Sequence, residues 1–136
     1  MRHIKNLLAP KVLFFFALAF TLFITVGSLI NTSSIPNLKF AVSDKLIHGV
    51  SYFLLVLLWF LFGLSNYKTT GFKKLLMIIA CLSFAYGIII EVLQGSLVET
   101  RTADIYDVLA NGLGILTAVL VLIYFQTNLI KLKSKI

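Results

Sequence analysis

The sequence predicts an all-α membrane protein, a bundle of four transmembrane helices with both termini in the cytoplasm. Three observations carry this. Of 136 residues, 60% are hydrophobic and only 12% charged, against about 25% charged in an ordinary soluble domain. The mean hydropathy is +1.01, and so short a chain has too little polar surface to shield that much apolar area from water. The apolar residues also gather into four runs, 12–30, 46–64, 75–93 and 105–124, each close to the ~20 residues that cross a bilayer core as a helix. In hydrocarbon every backbone N–H and C=O must be satisfied within the segment, so runs of this length are helical.

The first run follows Arg2, Lys5 and Lys11, as the apolar part of a signal peptide would. It is longer than the roughly 7–15 residues of such a segment, and no A-x-A-like cleavage site follows, so it reads as a retained span. The second opens with "SDKLIHGVSYF", the third closes with "YGIIIEVLQGS", and the fourth opens with "TRTADIYDVLANGLG". The connections are too short to hold another domain, so residues 1–136 read as a single transmembrane domain. A lone cysteine, Cys81, excludes an intrachain disulfide, and two histidines, His3 and His48, give no Cys/His zinc pattern.

Charge orients the spans. Arg2, Lys5 and Lys11, then Lys68, Lys73 and Lys74, then Lys131, Lys133 and Lys135 fall on one side of a four-span arrangement, with Lys39, Lys45 and Arg101 on the other. The positive-inside rule places the richer side in the cytoplasm. The net charge of +7 is thus a topology and membrane-surface signal, and its scatter among loop ends and tails is not a nucleic-acid footprint. All five acids, Asp44, Glu91, Glu99, Asp104 and Asp107, fall at the outer side or just within it. Acidic residues contribute little to topology, so this segregation points to a use for carboxylates at the outer face.

Asp44, His48 and Tyr52 stand at i, i+4, i+8 and share one helix face. Alone, Asp44 reads as a helix cap and His48 as a group in the wet headgroup zone. Glu91 follows "GIII" directly, with Gln94 at i+3. A charge at mid-span costs roughly 2.5–3.5 kcal/mol on insertion scales and less near the boundary, so Glu91 is expected to face the bundle and to have a partner. Arg101, Asp104, Asp107 and Asn111 follow at intervals of three, three and four. Asp104 and Asp107 suit the cap and first turn of a helix, but Asn111 lies two turns deeper and needs another reason. Gly114 and Ala118 continue the same face, where small residues let helices approach closely. This stripe is expected to face protein, polar at its outer end and small below.

Intramembrane ionisable groups mark functional sites by default. Arg101 can hold a carboxylate or a phosphate. The carboxylates with His48 can bind a divalent cation, or His48 and Glu91 can do acid–base work. Spacing alone does not choose among these.

The ordered series "DKLIHGVSYF", "EVLQ" and "RTADIYDVLANGLG" resembles the VanZ-like family of small bacterial membrane proteins. The matching positions are Asp44, Lys45, His48, Tyr52, Glu91, Gln94, Arg101, Asp104, Asp107, Asn111 and Gly114, over roughly residues 30–122. The family takes its name from a protein linked to low-level resistance to the glycopeptide teicoplanin. The resemblance implies a multi-pass protein of the bacterial cytoplasmic membrane.

Two classes of function follow. One is an intramembrane enzyme acting on a lipid-linked envelope intermediate, with Asp44, His48, Glu91 and Asp107 as catalytic groups and Tyr52, Gln94, Arg101, Asp104 and Asn111 holding the substrate. The other is a non-catalytic binder of a lipid headgroup or glycopeptide, in keeping with the lack of G-x-S-x-G, H-E-x-x-H and P-loop signatures. A structural alternative treats the polar set as hydrogen bonds between helices. The expected partners are membrane lipids, and nucleic acid is not among them.

Overall fold

The computed structural model describes residues 9–30, 44–66, 71–98 and 103–133. It is all-helical over these residues: α1 Pro10–Leu29, α2 Asp44–Asn66, α3 Phe72–Leu97, α4 Ile105–Tyr124 and α5 Gln126–Lys133. The first four are long and apolar enough to cross a membrane, and each contains or nearly matches one apolar run of the sequence. Pro10 occupies the first turn of α1, where its fixed φ and missing N–H cost nothing. Asp104 caps α4, its side chain accepting the Tyr106 N–H at 2.8 Å. The short α5 ends in Lys131 and Lys133; the sequence reading took this tail as positive charge only and did not foresee a helix.

Successive spans alternate in direction, so the start of α2, the end of α3 and the start of α4 share one end of the bundle. At the opposite end Phe14 meets Trp59 and Phe62, and Phe60 meets Phe72. The core runs along α2: Tyr52, Leu55, Val56 and Phe60 are almost wholly buried, together with Leu76 of α3 and Ala118 of α4. The large apolar side chains Phe15, Phe23, Leu82, Leu113 and Leu120 point outward, as side chains facing lipid do. Of the four spans, α1 carries the fewest buried residues, Leu13, Ala17 and Ile24.

α2 and α4 run parallel and in backbone contact. A Cβ built on Gly114 would stand 2.0 Å from the Gly49 carbonyl oxygen, inside any tolerable contact. Gly114 is therefore what lets α4 lie against α2, and the expectation of a small-residue packing face holds. Gly87 does the same for α3, where a Cβ would stand 3.0 Å from the Tyr52 ring and 3.3 Å from the Asn111 amide nitrogen.

A neutral hydrogen-bond cluster ties α1 to the rest. The Trp59 indole N–H donates to Thr21 Oγ1 at 3.0 Å, the Tyr86 hydroxyl donates to the Thr21 carbonyl at 3.1 Å, and the Thr25 and Tyr86 hydroxyls lie 2.8 Å apart.

Candidate functional site

The close contact of α2 with α4 brings their first turns side by side. Lys45 extends from α2 to bond both Asp104 and Asp107. One turn further, His48 Nδ1 lies 3.1 Å from Asn111 Oδ1. With that carbonyl accepting, the imidazole carries its proton on Nδ1 and presents a lone pair at Nε2. That Nε2 sits 3.9 Å from Asp44 Oδ1 and 3.8 Å from Asp107 Oδ2. Asp107 and Asn111 are buried, His48 is largely covered, and Asp44 remains exposed.

From α3, Glu91 and Gln94 are buried at the same end. Glu91 Oε1 accepts the backbone N–H of Asp104 at 2.9 Å, anchoring the entry to α4. Its second oxygen has no hydrogen-bond partner among the described residues, and neither does the hydroxyl of Tyr52, a side chain only 1% exposed. A buried polar atom left unpaired costs about 1–3 kcal/mol, so two at one end of the bundle are not a packing accident to be expected in a settled core.

Among the described residues the electrostatic balance is negative: Asp44, Asp104 and Asp107 face one ammonium, that of Lys45. Lys45 first, and the Tyr106 amide second, hold the Asp104 carboxyl below the usual carboxylate range.

Beside this cluster is a cavity of about 230 Å³ between α1 and α2. Phe23, Ile24 and Gly27 of α1 form its apolar wall, while Asp44, His48 and Tyr52 of α2 line the other side. One surface thus passes from charged to apolar within a few ångströms.

Of the residues named from sequence, Asp44, His48, Asp104, Asp107 and Asn111 come together directly. Tyr52 joins through the cavity, Glu91 through the Asp104 backbone, and Gln94 lies buried one turn beyond Glu91 on α3. Arg101 lies outside the described residues. The sequence places Lys45 among the positions matching the family but gives it no role in the site beyond a topology charge. The signal was there: Lys45, His48 and Tyr52 are spaced i, i+3, i+7 and share a face.

A family model described as VanZ/LLP1 matches residues 3–126. The chain belongs to that family, and its four apolar helices make it a multi-pass membrane protein. Comparison with curated proteins and with solved structures finds no match.

Proposed function

We propose that this VanZ family protein binds the phosphate-bearing headgroup of a lipid-linked cell-envelope intermediate at the outer leaflet of the bacterial cytoplasmic membrane and does chemistry on it. The termini then lie in the cytoplasm, the side that the distribution of Lys and Arg supports. The observation that carries the reading is the junction of His48 and Asp44 with an apolar cavity between α1 and α2. Its two-sided character suits an amphiphile, with the tail against Phe23 and Ile24 and the headgroup against the polar cluster.

In this reading His48 Nε2 is the proton acceptor, for a headgroup hydroxyl or a water. Asn111 fixes its tautomer, and Asp107, 3.8 Å away, stabilises the imidazolium that forms. Glu91 and Asp44 supply further carboxylates. Tyr52, Gln94, Asp104 and Asn111 position the headgroup, and Arg101 clamps the anion at the rim. Altered exposure of such an intermediate would link the protein to glycopeptide tolerance, teicoplanin included. A non-catalytic binder is the second reading, favoured by the lack of a known hydrolase signature.

The test is protein purified in lipid nanodiscs, exposed to an envelope lipid extract and analysed by mass spectrometry. Wild type captures or converts a phosphate-bearing lipid. Capture without conversion, lost in His48→Ala, selects the binder. Neither capture nor conversion, with normal insertion, defeats the proposal.

A further inference from the structure

We propose that Asp44, His48 and Asp107 hold one divalent transition-metal ion of the Zn²⁺ or Mn²⁺ type. The three side chains come from two helices, and one ligand atom of each lies within 4.8 Å of the others. Two bonds of about 2.0–2.1 Å to a common ion span at most about 4.2 Å. The separations of 3.9 and 3.8 Å from His48 Nε2 to the two carboxylates are already inside that limit. The remaining adjustment falls to Asp44, whose side chain is 60% exposed and free to turn.

The surroundings are those of a metal site. Metal-bound histidines donate their other ring N–H to an outer partner, and ligating carboxylates are themselves hydrogen-bonded. Here His48 Nδ1 is engaged by Asn111 and the second oxygen of Asp107 by Lys45. That leaves Nε2 and Asp107 Oδ2 turned toward each other with no proton donor between them among the described residues. Three lone-pair-bearing atoms converge, and among the described residues Asp44, Asp104 and Asp107 outnumber the one ammonium that reaches them, that of Lys45. Tyr52, one turn beyond His48 on the same helix face, lines the same cavity as Asp44 and His48, and its hydroxyl is buried without a hydrogen-bond partner among the described residues. One imidazole and two carboxylates leave open coordination positions, as catalytic rather than structural sites do. With the headgroup binding proposed above, on which only this last step rests, the ion would polarise a phosphate oxygen held in the cavity, and His48 Nε2, engaged as a ligand, would hold the ion instead of accepting a proton.

The experiment uses untagged full-length protein in nanodiscs, stripped with a chelator and titrated with Zn²⁺ by calorimetry. Wild type binds one ion per chain. His48→Ala and Asp107→Asn each weaken binding at least about 10-fold, and so does Asp44→Asn, an exposed position where folding is not at stake. Trp59→Phe, remote from the cluster, binds as wild type does. No stoichiometric binding, or equal affinity in Asp44→Asn and wild type, overturns the proposal. Lipid capture on the same samples keeps the two readings apart. Capture that survives chelation in protein that binds no Zn²⁺ ends the metal and spares the headgroup reading. One Zn²⁺ per chain with no lipid captured does the reverse.

Discussion

The bundle holds two polar clusters, and they are built differently. The one that ties α1 down, formed by Thr21, Thr25, Trp59 and Tyr86, contains no charge. Its indole N–H and its hydroxyls all have partners, at 2.7 to 3.1 Å. The one where the start of α2 and α4 meets the end of α3 contains, among the described residues, four carboxylates, an ammonium and an imidazole. It leaves His48 Nε2 facing carboxylates, and Glu91 Oε2 and the Tyr52 hydroxyl lack partners among the described residues. In lipid, groups that only join helices do best neutral and saturated, because nothing outside can solvate a leftover charge. The first cluster meets that description and the second violates it. Charge kept unsaturated at such cost is what the proposed function expects of a site that receives something from outside the chain.

The largest effect should come from the scaffold on which the charged cluster rests. Gly114→Ala places a methyl 2.0 Å from the Gly49 carbonyl oxygen, and relief requires α2 and α4 to separate. A loss of about 3 kcal/mol is expected, at the upper end for overpacking, together with loss of function. Gly27→Ala, with nothing within 4 Å of its Cβ, should unfold as wild type does. Thermal unfolding of both variants in detergent measures the contrast, and equal stability would mean that the helices are not in contact there.

Next come the charged residues themselves. His48→Ala, Glu91→Gln and Asp107→Asn should each abolish lipid capture or glycopeptide tolerance while inserting normally. Their unfolding temperatures should stay near that of wild type, and Glu91→Gln should rise, since it removes a charge that is expensive in hydrocarbon. Full function in all three would reduce this cluster to the same structural status as the neutral one.

The neutral cluster should show the opposite pattern at smaller size. Hydrogen bonds in membranes average about 0.6 kcal/mol each; Tyr86→Phe removes two and Trp59→Phe removes one together with part of the indole's contact with Phe14 and Phe62. Each should lower stability by about 1 kcal/mol and leave function intact. Chemical denaturation beside a lipid-capture assay reads both quantities.

Legibility in the sequence follows the same division. The spans were legible because lipid demands about 20 apolar residues per crossing. The charged cluster was legible because acids and histidine stand out in an apolar chain, and Asp44, His48, Asp107 and Asn111 keep helical spacing. The neutral cluster was not, because Thr, Trp and Tyr are ordinary residues of spans and interfaces, and no periodicity says that Thr21 will meet Trp59. The role of Lys45 was hidden by the positive-inside rule, which explains any basic residue without reference to its neighbours. The pairing of α2 with α4 needed three dimensions, since Gly49 and Gly114 lie 65 residues apart.

The smallest expected effect concerns acid, and it separates the clusters by pH. Lys45 bonds both Asp104 and Asp107, and it is the main reason that the Asp104 carboxyl titrates below the usual range. A carboxylate whose pKa is lowered by folding contributes stability that is fully present above its unfolded value of about 3.9. That contribution fades as pH falls through the lower folded value. Asp104→Asn keeps a side chain that can cap α4 and removes only the charge. The advantage of wild type over Asp104→Asn should therefore be constant from pH 8 to about 5 and shrink only below about 4. It should be small throughout, because Lys45 and Asp104 are 47% and 37% exposed and solvent screens them. Tyr86→Phe and Trp59→Phe should show a deficit that does not vary over the same range, since neither removes a group that ionises there. Unfolding temperatures of wild type and the three variants from pH 8 to 3.5 make the comparison. A wild-type advantage over Asp104→Asn already gone at pH 6 would mean that Lys45 does not hold Asp104 as described.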